Sequence, residues 1–202
     1  MKTQTLATLA GLGTLAIGSV APAELIIFVA EGNIIALDDP ADLTGGATTW
    51  SWTYSFDSDA PDQFPGNPEI GQYALGNWEL TLGILTVSSS GDEIVVFDDH
   101  MGIFDGYQVT GETLPPAGWA LFSPVFSLIA FDLSIIGSDA LPLTPPNPAD
   151  FGTRPFALFG LTDDNDVLSV HGDVKSIEIV PAPGALALLG LPGLTGMRRR
   201  RR

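Results

Sequence analysis

The sequence predicts an all-β protein, a single antiparallel β-sandwich of jelly-roll type, and three observations carry that expectation. Short runs rich in Val, Ile, Phe and Trp recur through the middle of the chain, several alternating strictly between apolar and polar residues. Clusters of Gly, Pro, Asn and Asp punctuate them, as in "DSDAPDQFPGNPEIG", "ETLPPAG" and "DALPLTPPNPADFG", which is the composition of turns and surface loops. No fixed-period repeat appears, which argues against a propeller or a solenoid.

In chain order, "ELIIFVAEGNIIALDD" reads as two strands turned at Glu31-Gly32-Asn33. "TWSWTYSF" is the clearest strand, with Trp50, Trp52, Tyr54 and Phe56 on one face and Ser51, Thr53 and Ser55 on the other. "NWELTLGILTVSSS" alternates in the same way through Trp78, Leu80 and Leu82. "EIVVFDD", "FSLIAFDLSII", "PFALFGL" and "VKSIEIV" add β-branched and aromatic runs, for about ten strands in all. His171, followed by Gly172 and Asp173, reads as a turn residue between the last two strands.

The ends differ from this body. Lys2, the uncharged stretch Leu6–Val20 and the small residues Ala21 and Ala23 form the three parts of an export signal, with cleavage expected after Ala23. At the other end, Gly184–Met197 is 14 residues without a charge, and Arg198, Arg199, Arg200, Arg201 and Arg202 follow it. As a helix that run spans roughly 21 Å, short of the ~30 Å hydrocarbon core, and the arginines are expected to stay on the cytoplasmic side. The expected organisation is therefore a signal peptide over 1–23, a β domain over 24–179 and a hydrophobic tail over 180–202. All 24 acidic residues lie in the middle, with only Arg154 and Lys175 against them, a balance of −22. A body this acidic excludes binding to nucleic acid through its own charge. The absence of cysteine excludes disulfides, thiolate metal sites and a cysteine nucleophile.

Val180, Pro181 and Pro183, the run "GALALLGLPGLTGM" and the terminal arginines together resemble the PEP-CTERM sorting signal of bacterial exosortase substrates. The family's central Glu is Ala182 here. The resemblance implies a Gram-negative bacterium and an exosortase-type membrane enzyme as partner. It further implies tethering to the inner membrane in transit, cleavage near the proline motif, and delivery to the cell surface or an exopolysaccharide matrix. "YSFDSDAPDQFPGNPEIGQYAL" and "SDALPLTPPNPADF" also resemble a recurring exported β domain found upstream of such tails, one with which no activity is associated.

Three constellations are candidates for chemistry in the body. Calcium takes six to eight oxygen ligands, and Asp57, Asp59 and Asp62 in "DSDAPD" are the first acidic group that offers several. Asp163, Asp164, Asn165 and Asp166 form a second group, and Asp98, Asp99 and His100 a third; none follows EF-hand spacing. A hydrolytic site is not expected, because the two histidines, His100 and His171, accompany neither a G-x-S-x-G elbow nor an H-E-x-x-H helix. Sugar stacking is the third possibility. The row Trp50 to Phe56 is expected to fill a core, which leaves Trp119 or Tyr107 as the aromatic platforms.

Overall fold

The computed structural model describes residues 24–111 and 118–181. The expected leader over 1–23, with Ala21 and Ala23, lies outside the described residues, as does the expected sorting tail from Ala182 onward with Pro183 and the five arginines. Ten strands form: β1 (Leu25–Asp38), β2 (Thr49–Asp57), β3 (Ile70–Ala74), β4 (Asn77–Leu82), β5 (Leu85–Ser90), β6 (Asp92–His100), β7 (Phe104–Gly111), β8 (Trp119–Ala130), β9 (Pro155–Thr162) and β10 (Val167–Ile179). A 3-10 turn at Pro148–Asp150 lies in the long β8–β9 connection.

The chain is all-β and antiparallel, but its strands belong to one sheet in the order β3-β6-β7-β8-β9-β10-β1-β2-β4-β5, curled into a half-barrel. The two ends of that order are halves of one bent hairpin. Asn77 pairs with Ser90 and Leu82 with Leu85 in β4–β5, and the same register continues as Ile70 with Phe97 and Ala74 with Glu93 in β3–β6. Between the halves, Leu75 N–H donates to Asp92 O (2.8 Å) and Gly91 N–H to Gly76 O (2.9 Å), so pairing is unbroken across the bend. One half of the hairpin then pairs with β2 and the other with β7. Glycines permit this corner: a Cβ at Gly76 would stand 2.9 Å from Ser55 O.

Inside the curl, aromatic rings from facing strands meet. Trp52 of β2 meets Phe126 of β8 edge-on at 5.7 Å, Trp78 of β4 stacks on Phe122 at 6.4 Å, and Trp50 stacks on Phe156 of β9 at 4.1 Å. The Tyr54 and Tyr107 hydroxyls pair at 3.2 Å, and their full burial raises both phenol pKa values above the ordinary range. Each such ring pair adds about 0.5–1.5 kcal/mol beyond its area burial. The alternation in "TWSWTYSF" thus has its expected outcome: Trp50, Trp52, Tyr54 and Phe56 are core, which closes that face to a sugar.

Two expected turns are corrected. The segment through Glu31-Gly32-Asn33 does not reverse, and β1 runs 14 residues with a bulge between Glu31 and Gly32. His171 is not in a turn either: it sits exposed in mid-β10, between Ala36 of β1 and Ala157 of β9. In both places the glycine serves close approach and not reversal. A Cβ on Gly32 would lie 1.7 Å from Asp173 O, and one on Gly172 would lie 2.3 Å from Asn33 O. The indole of Trp50 crosses over this bare backbone and donates from Nε1 to Asp173 O (3.1 Å), while Asp173 Oδ1 accepts from Asn33 N–H (3.0 Å). "FSLIAFDLSII" is also shortened, since β8 ends at Ala130 and Phe131 opens a long connection.

Candidate functional site

Alternation of strand direction sorts the loops to two ends of the curled sheet. One end carries the 58–69 loop, the β6–β7 turn, the 131–154 connection and both described chain termini, Glu24 and Pro181. The strongest clustering of polar chemistry is at this end.

The β6–β7 turn is built on left-handed backbone: Asp99, Met101 and Gly102 have φ of 52°, 57° and 65°. Gly102 N–H donates to Asp99 O (2.7 Å) and Ile103 N–H to His100 O (3.0 Å), which closes the turn. Asp and Gly tolerate such φ values, while Met101 bears a local cost. The geometry folds Asp98 and Asp99 back toward Asp105, so that one oxygen from each of the three carboxylates lies within 4.8 Å of the others.

Asp105 is fully buried on the inward side of β7, in line with Tyr107 and Val109. Its Oδ1 accepts from Asp99 N–H (2.9 Å) and its Oδ2 from Ile135 N–H (3.0 Å) and Ile136 N–H (2.8 Å). One carboxylate therefore ties the β6–β7 turn to the 131–154 connection. A second tie comes from β3, where the Tyr73 hydroxyl donates to Asp139 O (2.9 Å). Gly71 makes room for that carbonyl, because a Cβ there would stand 1.9 Å from it. Beneath the connection lies a cleft of about 440 Å³, bounded by Val96, Tyr107, Ile136, Leu141 and Phe151.

Negative charge accumulates around this seam. Burial, then Asp99, Asp105 and Asp139 in turn, pushes the Asp98 carboxyl above the usual carboxylate range. Glu69 joins from the 58–69 loop: its Oε2 accepts from Met101 N–H (3.0 Å) and lies 3.6 Å from His100 Nδ1, beyond hydrogen-bond reach. The His100 ring packs against Phe97 and Phe104 at 5.4 and 5.3 Å. Chemically, the seam concentrates hard oxygen donors, the ligand type of calcium or magnesium.

Of the residues singled out in sequence, Asp98 and Asp99 are brought together, and Asp105 joins them. Asp57, Asp59 and Asp62 do not form such a group with converging oxygens. Asp62 Oδ1 instead accepts from Phe64 N–H and Gln72 N–H, both at 2.9 Å, and holds the loop against β3. Asp163 to Asp166 make the exposed β9–β10 turn, with Asn165 at φ 68° and Asp166 N–H bonded to the Thr162 hydroxyl. Tyr107 is buried, and the half-buried Trp119 ring packs on Phe122 at 4.9 Å with its edge over Gly160. Asp105 is the residue that the sequence reading passed over. Its signal was a charged residue at an inward position of an alternating strand, "FDGYQV", where a carboxylate is retained only with several donors around it.

No family model matches the chain, and comparisons with curated proteins and with solved structures gave no match.

Proposed function

We propose that this is an exported structural protein of the bacterial cell surface or extracellular matrix, associated with exopolysaccharide and delivered through cleavage of its C-terminal tail by an exosortase-type enzyme. The observation that carries the reading is the pairing of the leader over 1–23 with the three-part tail: Val180, Pro181 and Pro183, then the uncharged run Gly184–Met197, then Arg198–Arg202. The acidic, cysteine-free body between them supports it, since strong net charge keeps an exported domain soluble and dispersed. Cells expressing the intact chain are compared with cells expressing a chain that lacks Arg198–Arg202. Processing by a sorting enzyme predicts a difference in mature size and in the fraction recovered outside the inner membrane; identical size and location refute it.

A second reading, binding of calcium, is favoured by one specific observation: the converging oxygens of Asp98, Asp99 and Asp105. Asp105 already accepts three backbone N–H groups, and the trio alone falls short of the six to eight oxygens calcium takes, so Glu69 or water would complete the shell. Calorimetry with calcium on the intact protein and on Asp98→Asn tests it. No heat from the intact protein, or equal heat from both, removes the reading.

A further inference from the structure

We infer that the end of the half-barrel bearing the 58–69 loop, the β6–β7 turn and the 131–154 connection is a docking face for a lipid bilayer of zwitterionic headgroups. The inference rests on the reading that at least one terminal apolar run of this chain enters a membrane.

Two independent observations point to this end. The first is the distribution of exposed apolar side chains. Nine of the twelve large ones among the described residues belong to it, including Phe64, Met101, Ile103, Phe131, Leu143 and Val180, several of them more exposed than buried. The opposite end offers Ile84, at the β4–β5 turn, and Ile35, near the end of β1. Such clustering at one end is unusual for a chain free in water, and exposed apolar groups rimmed by polar ones mark contact surfaces. The second is where the chain leaves. β1 begins and β10 finishes at this end, with Phe28 paired to Ile179 and Val180 N–H donating to Ile27 O (2.8 Å). Two residues, Ala182 and Pro183, separate Pro181 from the start of the run Gly184–Met197, a reach of about 10 Å over three Cα steps. Three residues separate Val20 of the other apolar run, Leu6–Val20, from Glu24, a reach of about 14 Å over four Cα steps. Whichever run lies in lipid, this end is held within about one headgroup layer of the bilayer, and its apolar tips face it.

Charge decides the headgroup. Asp98, Asp99 and Asp132 stand among the apolar tips and repel an anionic surface, whereas zwitterionic headgroups carry no net charge to repel. Met101 and Ile103 at the tip of a tight turn, with Phe131 at the neighbouring strand end, then reach the headgroup–acyl boundary, where apolar residues gain by burial.

The absence of cysteine makes the test direct. Full-length Met101→Cys, Phe131→Cys and Ile84→Cys proteins carry an environment-sensitive fluorophore and are reconstituted with phosphatidylcholine vesicles containing a brominated acyl-chain quencher. All three residues are largely exposed, so folding tolerates the labels. Labels at 101 and 131 are expected to shift to shorter wavelength and lose most of their emission, while the label at 84 stays unquenched. Flotation with the vesicles but no quenching at 101 or 131 overturns the docking face and leaves the membrane tether standing. Failure to float overturns the tether and the docking face together. Stronger quenching in phosphatidylglycerol than in phosphatidylcholine overturns the zwitterionic preference.

Discussion

Asp105 is the residue whose loss should be felt furthest. Replacing it by Ala removes an acceptor from three backbone N–H groups, those of Asp99, Ile135 and Ile136, at 2.9, 3.0 and 2.8 Å. A hydrogen bond to a charged group contributes about 1.5–3 kcal/mol, and an orphaned buried donor costs a further share of its desolvation. Three such bonds do not add, because the turn and the connection are half-buried and water reaches part of what is freed. Removing the carboxylate also removes its own burial cost, which offsets part of the loss. The net expectation is a destabilisation of about 3–5 kcal/mol for Asp105→Ala. Asp105→Asn keeps one carbonyl acceptor but turns an amide N–H₂ toward the remaining donors, for about 1–3 kcal/mol. For a domain of this size each kcal/mol lowers Tm by about 2–4 °C, so Asp105→Ala should melt about 6–20 °C earlier. The effect should also be local: hydrogen exchange at Ile135 and Ile136 should accelerate more than at Val170 in the centre of β10. An unchanged Tm, or a fall in Tm without local loss of protection, would refute the claim that this carboxylate ties the two loops together.

Gly32→Ala should be poorly tolerated, since its Cβ would sit 1.7 Å from Asp173 O and backbone cannot rotate away as a side chain can. A cost of about 3 kcal/mol or more is expected from thermal melts, while Gly152→Ala, where a Cβ meets open space, should change stability by less than about 0.5 kcal/mol. Stability should depend on pH in a definite order. Asp98 and Glu93 have folded-state pKa values raised above 3.8 and 4.5, Glu93 by burial and then by Asp92, so their ionisation works against folding. That stability is fully present below the unfolded pKa and is lost as pH rises through the folded one. Asp39 acts in the other sense: burial alone would raise it, but the Thr44 amide and hydroxyl and the Leu43 amide together pull it below 3.8. Its contribution is present above 3.8 and is lost as pH falls through the lower folded value. Mild acidification from neutrality should therefore hold or raise Tm, with loss only below about pH 4; a Tm falling steadily from pH 7 to pH 5 contradicts this ordering.

The fold class was legible because side-chain period is a local property. The alternation from Trp50 to Phe56 specifies a strand and its inward face without knowledge of what it packs on, and the structure buries those four rings. Sheet closure was not legible in the same way. Whether strands form two sheets or one depends on how the hairpin of β3–β4 with β5–β6 bends, and the residues that permit the bend, Gly76 and Gly91, look in sequence like ordinary turn glycines. Gly32 and Gly172 misled for a related reason. A glycine next to Asn or Asp is the usual mark of a reversal, but here the two lie diagonally across β1–β10, on either side of the Asn33–Asp173 pair, and the missing side chains admit the Trp50 indole. Nothing near position 32 announces a tryptophan 18 residues later that requires the space.

The seam at Asp98, Asp99 and Asp105 shows the same limit from the side of chemistry. Asp98 and Asp99 attract notice because they are adjacent, yet adjacent carboxylates in a strand point to opposite faces and cannot share a ligand unless the backbone turns. The left-handed residues Asp99, Met101 and Gly102 supply that turn, and a residue six positions on supplies the third carboxylate. What holds Asp105 in place comes from farther still, from Ile135 and Ile136, about thirty residues downstream. The donors that keep a charge buried were thus beyond the reach of any local pattern, while the charge itself stood in plain view at an inward strand position. A polar residue that breaks an apolar alternation is therefore a sharper guide to a built site than a run of acids in a loop: the run is stable in water alone, whereas the buried carboxylate requires an environment made for it.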